Sequence, residues 1–95
     1  MRLLAVFAVA ALLATTAQAA PPSKEQQVEF YKTCMGIAQN DSLCTCKRDA
    51  AVELIDSDFM MTVISAMKGK TYPADEQGEY DAYISRSNAI CIPGY

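Results

Sequence analysis

The sequence predicts an all-α fold, a small bundle of four short helices held together by two disulfides. Apolar residues recur at intervals of three and four in four successive segments, which is the period of an amphipathic helix. No segment alternates apolar and polar residues over a useful length, as a half-buried strand would. Four cysteines in a chain of 95 residues supply the cross-links that so small a domain needs.

The first nineteen residues predict a secretion signal that is removed after Ala19. Met1-Arg2 gives a positive start, Leu3–Ala14 is an unbroken apolar run, and Ala17-Gln18-Ala19 offers small side chains at the cleavage site. Twelve helical residues span about 18 Å, which is short of the roughly 30 Å hydrocarbon core of a membrane. We therefore expect export without a membrane anchor. The alanine-rich signal suggests a bacterial source, and hence the periplasm or the extracellular medium.

The rest of the chain is expected to form one domain. Residues 20–23 are predicted to be a flexible N-terminus, residues 24–92 a single disulfide-stabilised helical domain, and residues 93–95 a C-terminal tail. The signal contains Arg2 and no acidic residue, so its removal changes the formal charge from −3 to about −4. This acidity argues against nucleic acid or anionic lipid as a partner and is compatible with a cationic protein.

Two of the predicted helices precede residue 56. Ser23 and Gln26 form a capping-box pattern at the start of the first helix. Its apolar positions are Val28, Tyr31, Cys34, Met35 and Ala38, with Phe30 and Ile37 widening the face. Asp41 or Ser42 is predicted to cap the second helix, after a connection of three polar residues. The apolar stripe of the second helix is Leu43, Cys46, Ala50 and Leu54.

The other two helices follow Asp56-Ser57, which is predicted to end one helix and cap the next. The third helix is the most hydrophobic, with Phe59, Met60, Val63, Ile64 and Met67 on one face and Met61 at its edge. Gly69 stands where a helix end favours a left-handed residue. Pro73 suits the first position of the fourth helix, and Gly78 predicts a late or frayed start. The fourth helix carries Tyr80, Tyr83, Ile84, Ser87, Ile90 and Cys91.

The four cysteines, Cys34, Cys44, Cys46 and Cys91, are predicted to form two disulfides. In an antiparallel helical hairpin, facing residues have a roughly constant sum of residue numbers. The sum of residue numbers is the same for the pair Ile37 and Leu43 as for the pair Cys34 and Cys46. We therefore prefer Cys34–Cys46 together with Cys44–Cys91. The alternative, Cys34–Cys44 with Cys46–Cys91, requires only a small shift of one helix and remains open.

A second use of sulfur competes with cross-linking. The Cys44/Cys46 pair would suit a thiol redox carrier or a soft-metal carrier for copper or zinc, and Lys47 and Arg48 would favour the thiolate. The chain contains no histidine and no C-x-x-C spacing, and its methionines fall on apolar helical faces. We therefore expect no metal site and no cofactor.

Catalysis is also not expected. Without histidine, a serine or cysteine nucleophile lacks its usual base, so thiol–disulfide exchange is the remaining enzymatic alternative. Asp49 and Glu53 are one helical turn apart and are interpreted as a solvent-exposed face. The sequence leads to the hypothesis of an exported binding protein: an inhibitor, an immunity-type antagonist or a stress chaperone.

One segment is the candidate interaction surface of such a protein. It combines four carboxylates with tyrosines, which are favoured anchors in protein interfaces. Its residues are Tyr72, Asp75, Glu76, Glu79, Tyr80, Asp81 and Tyr95. We expect its partner to be another protein, with cationic surface opposite these carboxylates.

Overall fold

The computed structural model describes residues 19–92. The predicted signal up to residue 18 and the predicted tail at residues 93–95, including Tyr95, lie outside the described residues. Four helices follow one another: α1 Lys24–Ala38, α2 Asp41–Leu54, α3 Ser57–Met67 and α4 Gln77–Cys91. The part of the chain that is described contains no strand, and the prediction of an all-α fold with four helices and two disulfides is confirmed.

A tight connection joins α1 to α2. The capping box of α1 is present, because the Ser23 side chain accepts from the Gln26 amide while the Gln26 side chain accepts from the Ser23 amide. Helix α1 ends at Ala38, and its C-cap Gln39 has a φ of 52°, which lies in the left-handed region. Asn40 caps α2 by accepting from the Leu43 amide at 3.0 Å. The prediction that Asp41 or Ser42 caps α2 is wrong, since the connection has only two residues.

Helix α3 has defined signals at both ends. Asp56 caps it, as predicted, by accepting from the Phe59 amide at 2.8 Å. At the other end Gly69 has a φ of 79°, the left-handed conformation that its position predicted. The Gly69 amide donates to the Ala66 carbonyl and the Lys70 amide to the Ser65 carbonyl. These two bonds form a Schellman motif, which satisfies carbonyls that the helix end leaves without partners.

Helix α4 starts late, in agreement with the prediction. A single 3₁₀ turn, Ala74–Glu76, separates Pro73 from the first residue of α4. Pro73 therefore precedes this turn and does not occupy the first position of α4. The Thr62 hydroxyl on α3 donates to the Glu76 carboxylate and fixes the turn against its neighbour.

The core lies where α1, α2 and α3 meet, with one tyrosine from α4. The face predicted for α3 is buried at Phe59, Met60, Val63 and Ile64, while Met61 is exposed. The cluster consists of Phe30, Cys34, Cys44, Ala51, Phe59, Met60, Val63, Ile64 and Tyr83. In α1, the apolar positions Val28 and Ile37 are exposed, so only part of its predicted face is core.

The two disulfides are Cys34–Cys44, between α1 and α2, and Cys46–Cys91, between α2 and α4. The preferred pairing of Cys34 with Cys46 and of Cys44 with Cys91 is therefore wrong, and the alternative is the one present. The reason is the face of α2 that is buried. Cys44 is fully buried together with Ala51, whereas Cys46 lies on the flank, half-buried. This rotation turns Cys44 towards α1 and leaves Cys46 to face α4.

The helices pack in a chain of neighbours. Helix α3 packs on α1, α1 on α2, and α2 on α4, while α3 and α4 have few direct contacts. This leaves a gap on the side of the bundle where α3 and α4 face each other. Among the helices of residues 19–92, none combines the length and the apolar character that crossing a membrane requires.

Residues 20–23, predicted to be flexible, have fixed contacts in the structure. The Ala20 carbonyl accepts from the Ser57 amide at 2.8 Å, and Pro22 is buried. The Gln26 side chain donates to the Ser57 carbonyl at 2.9 Å. These contacts place the segment beside the start of α3, more than thirty residues away in the sequence.

The difference in burial predicts the order in which the disulfides are reduced. Under native conditions a brief exposure to a phosphine reductant should open Cys46–Cys91 first, because its sulfurs are half-buried while Cys44 is fully buried. Alkylation of the partly reduced protein, followed by peptide fragmentation, locates the opened pair. Joint labelling of Cys34 with Cys46, or of Cys44 with Cys91, would contradict the connectivity.

Candidate functional site

The disulfides separate the two cysteines of the C-x-C pair. Cys44 bonds to Cys34 in the core, and Cys46 bonds to Cys91 at the flank of α2. Within the described range no cysteine is free, and no group of three potential metal-ligating side chains is found. The four cysteine sulfurs thus form cross-links between helices.

The predicted interaction surface is partly brought together by the start of α4. We call the set Tyr72, Asp75, Glu76, Glu79, Tyr80 and Asp81 the tyrosine–acid patch. The rings of Tyr72 and Tyr80 pack with their centroids 5.5 Å apart and their planes inclined by 40°. The carboxylate of Glu76 is directed to Thr62 on α3 and is half-buried. Tyr95, the last residue of the predicted surface, lies outside the described residues.

A chain of hydrogen bonds orders this patch. The Tyr72 hydroxyl donates to Gln77 Oε1 at 2.9 Å, and Gln77 Nε2 donates to Asp81 Oδ1 at 2.8 Å. Burial raises the pKa of the Tyr80 phenol, with smaller contributions from Tyr72 and Asp81. Gln77, which sequence reasoning passed over, therefore links a tyrosine to a carboxylate across the patch.

The carboxylates of the patch have no cationic partner in the described part of the chain. The two ion pairs found there are Arg48–Asp49 and Lys68–Glu29, and both lie elsewhere. Asp75, Glu79 and Asp81 are exposed. The patch is thus a concentration of negative charge that forms no ion pair within residues 19–92.

Lys47 connects α2 to α4 beside the Cys46–Cys91 disulfide. Its ammonium donates to Ser87 Oγ at 2.8 Å and to Asn88 Oδ1, and Ser87 is fully buried. Burial lowers the pKa of Lys47. Sequence reasoning treated Lys47 only as a neighbour of Cys46; its contact with α4, forty residues further on, requires the tertiary fold.

The gap between α3 and α4 contains a small apolar cavity. Its volume is about 190 Å³, and its wall is almost entirely carbon. All four helices contribute to it, through side chains that include Phe30, Leu43, Val63, Tyr83 and Ile84. Lys47 also lines this cavity, while its ammonium is bonded to α4.

A larger groove runs along the other side of α2. We call it the α2 groove; it has a volume of about 640 Å³ and is lined by Asp41, Ser42, Thr45, Cys46, Asp49, Ala50, Glu53, Leu54 and Ile90. Sequence reasoning interpreted Asp49 and Glu53 as a solvent-exposed face, and both are exposed. It did not foresee the groove, because the side chain that extends its apolar surface, Ile90, comes from α4.

Comparisons with known proteins give no match: no family model fits the chain, and no curated protein or solved structure is significantly similar.

The alkaline titration of Tyr83 provides a test of the core. Burial raises the pKa of Tyr83 to about 12. The neutral phenol is the form that the fold favours, so its contribution to stability is complete below the ordinary tyrosine pKa of about 10 and is lost as the pH rises from there towards 12. We expect one of the five tyrosines to ionise last, near pH 12, in a phenolate absorbance titration.

The variant Tyr83→Phe assigns that last step. It should lack the late phenolate signal, while its helical circular dichroism below pH 9 remains that of the wild type. A folded wild-type protein whose tyrosines all ionise together near pH 10 would contradict the burial of Tyr83.

Proposed function

We propose that this chain is an exported, non-catalytic binding protein whose partner is a cationic protein. It would act in the periplasm or the extracellular medium as an inhibitor, an immunity-type antagonist or a stress chaperone. The observation that carries the proposal is the tyrosine–acid patch, in which Tyr72 packs on Tyr80 and the exposed carboxylates have no cationic partner among the described residues.

The chemistry of the patch suits protein recognition. Tyrosine offers a rigid, amphipathic contact area, and Tyr72 and Tyr80 are already packed against each other before a partner binds. The bonds from Tyr72 to Gln77 and from Gln77 to Asp81 restrict the side chains further. A surface that is ordered in advance loses less conformational entropy on binding.

The two disulfides support export. Disulfides persist in oxidising compartments and are rare in the cytosol, and both bonds join different helices of the fold. The predicted signal over residues 1–19 is consistent with that environment. The absence of histidine from the sequence supports a role without acid–base catalysis.

Neutralisation of the patch tests this function. The wild-type protein and the triple variant Asp75→Asn/Glu79→Gln/Asp81→Asn would each be immobilised and exposed to the exported proteins of the source organism. The triple variant should capture much less of the partner than the wild-type protein does. We expect a loss of about tenfold, because three charge contacts of a few tenths of a kcal/mol or more add up to roughly 1.4 kcal/mol. Quantitative mass spectrometry of the captured proteins is the measurement.

A matched variant controls for net charge. Glu25→Gln/Glu29→Gln/Asp58→Asn removes the same number of carboxylates from exposed positions outside both the tyrosine–acid patch and the α2 groove. The patch proposal requires that this variant retain a partner that the patch variant loses, and that moderate salt weaken the capture. Equal capture by all three proteins, or no captured protein at all, would count against it.

The alternative function is a thiol redox or soft-metal carrier that uses Cys44 and Cys46. It requires reduced sulfur, whereas both cysteines are bonded in the fold. We expect zero free thiols when the exported protein is denatured without reductant and treated with a thiol reagent. Two or more free thiols per chain would favour the carrier over the binding protein.

A further inference from the structure

The α2 groove follows one helix along its whole length. Its lining residues on α2 begin at Asp41 and end at Leu54, and they fall in two adjacent columns of the helix surface. At 1.5 Å per residue, this stretch is about 20 Å long. A helix of three to four turns has the same length.

One column of the groove is acidic. Asp41, Asp49 and Glu53 recur at intervals of four or eight residues, with Thr45 completing the column. Residues at this spacing lie on one side of a helix. Among the described residues, the groove lining includes no lysine or arginine. Asp49 pairs with Arg48 at 3.0 Å, and Asp41 accepts a hydrogen bond from the Tyr31 hydroxyl. The Asp49 carboxylate is exposed, and an exposed ion pair contributes little free energy, so a cation of the partner can replace Arg48 there.

The adjacent column is apolar. It consists of Cys46, Ala50 and Leu54, and Ile90 extends it from α4. Ile90 is 56% exposed, which is a large fraction for an isoleucine of a folded domain. The groove thus presents apolar contact area beside a row of negative charge.

We propose that the α2 groove binds a basic amphipathic helix of a partner protein. The apolar face of that helix would pack on Leu54 and Ile90, and its lysines or arginines would meet the carboxylates of Asp49 and Glu53. A helix laid in a groove is a common mode of peptide recognition, with anchors at intervals of three and four residues. Charge complementarity selects a basic helix, because an acidic one would meet like charges along the acidic column.

The groove is formed before any partner arrives. Helix α2, which lines most of the groove, is joined to α4, which contributes Ile90, by the Cys46–Cys91 disulfide and by the bonds of Lys47 to Ser87 and Asn88. The proposal rests on the proposed function, in that the partner is a cationic protein, and it adds a second contact surface distinct from the tyrosine–acid patch.

A synthetic peptide provides the probe. We would use a fluorescent 14-residue peptide of leucine and lysine, with leucines at intervals of three and four, and a second peptide with glutamate in place of lysine. Fluorescence anisotropy should show that wild-type protein binds the basic peptide, that added salt weakens the binding, and that the acidic peptide does not bind. Circular dichroism should show the bound peptide to be helical.

Two charge-reversal variants locate the site. Asp49→Lys/Glu53→Lys should weaken binding of the basic peptide by at least roughly tenfold, because two attractive contacts become repulsive. Glu25→Lys/Asp58→Lys changes the net charge by the same amount at exposed positions outside the groove and the tyrosine–acid patch, and should change the affinity by less than about twofold. Ile90→Ser should weaken binding without altering its salt dependence. Thermal melts confirm that each variant is folded.

Several outcomes would overturn the groove proposal. Equal weakening by both charge-reversal variants would show that only the overall charge matters, and binding of both peptides would show that charge does not select the ligand. A wild-type dimer that Ile90→Ser dissociates would make the groove a contact between copies of this chain. Failure of the basic peptide to bind would also overturn the groove proposal. The proposed function would still stand in that case if the tyrosine–acid patch variant lost the captured partner.

Discussion

The fold depends on α2 being bonded through sulfur on two sides. Cys44 and Cys46 are two residues apart on a helix, so their side chains point about 200° apart and reach different neighbours. Cys34–Cys44 closes a loop of about ten residues and Cys46–Cys91 one of about 45. Chain entropy alone assigns these cross-links roughly 3 and 4 kcal/mol at room temperature. For a domain of this size, which buries only about 60% of its unfolded surface, such contributions are comparable with the whole stability.

The position of α4 follows from this arrangement. Helix α4 adds only Tyr83 to the core cluster and packs mainly on α2, to which it is also bonded by Cys91 and by the contacts of Ser87 and Asn88 with Lys47. Tyr83 and Ile84 of α4 line the apolar cavity, and Ile90 of α4 borders the α2 groove. The shapes of this cavity and this groove therefore depend on how α4 is attached.

The two acidic surfaces have different physical characters. The tyrosine–acid patch is built on the late start of α4, where aromatic rings and carboxylates are linked by hydrogen bonds. The α2 groove is concave and combines an acidic column with apolar contact area. Both lie on a chain of negative net charge, which would attract the cationic partner that we propose before local contacts decide where it binds.

The positions of the four helices and several of their ends could be predicted from the amino-acid sequence. Periodicity identified the buried face of α3, and local side chains such as Ser23, Asp56 and Gly69 determined caps, because a cap depends on residues within one turn. The sequence did not decide the disulfide pairing. On α2 the apolar residues are mostly small and surround the helix, so periodicity did not fix which side is buried. Only the tertiary structure turned Cys44 into the core and brought Lys47 and Ile90 into contact with elements distant in the sequence.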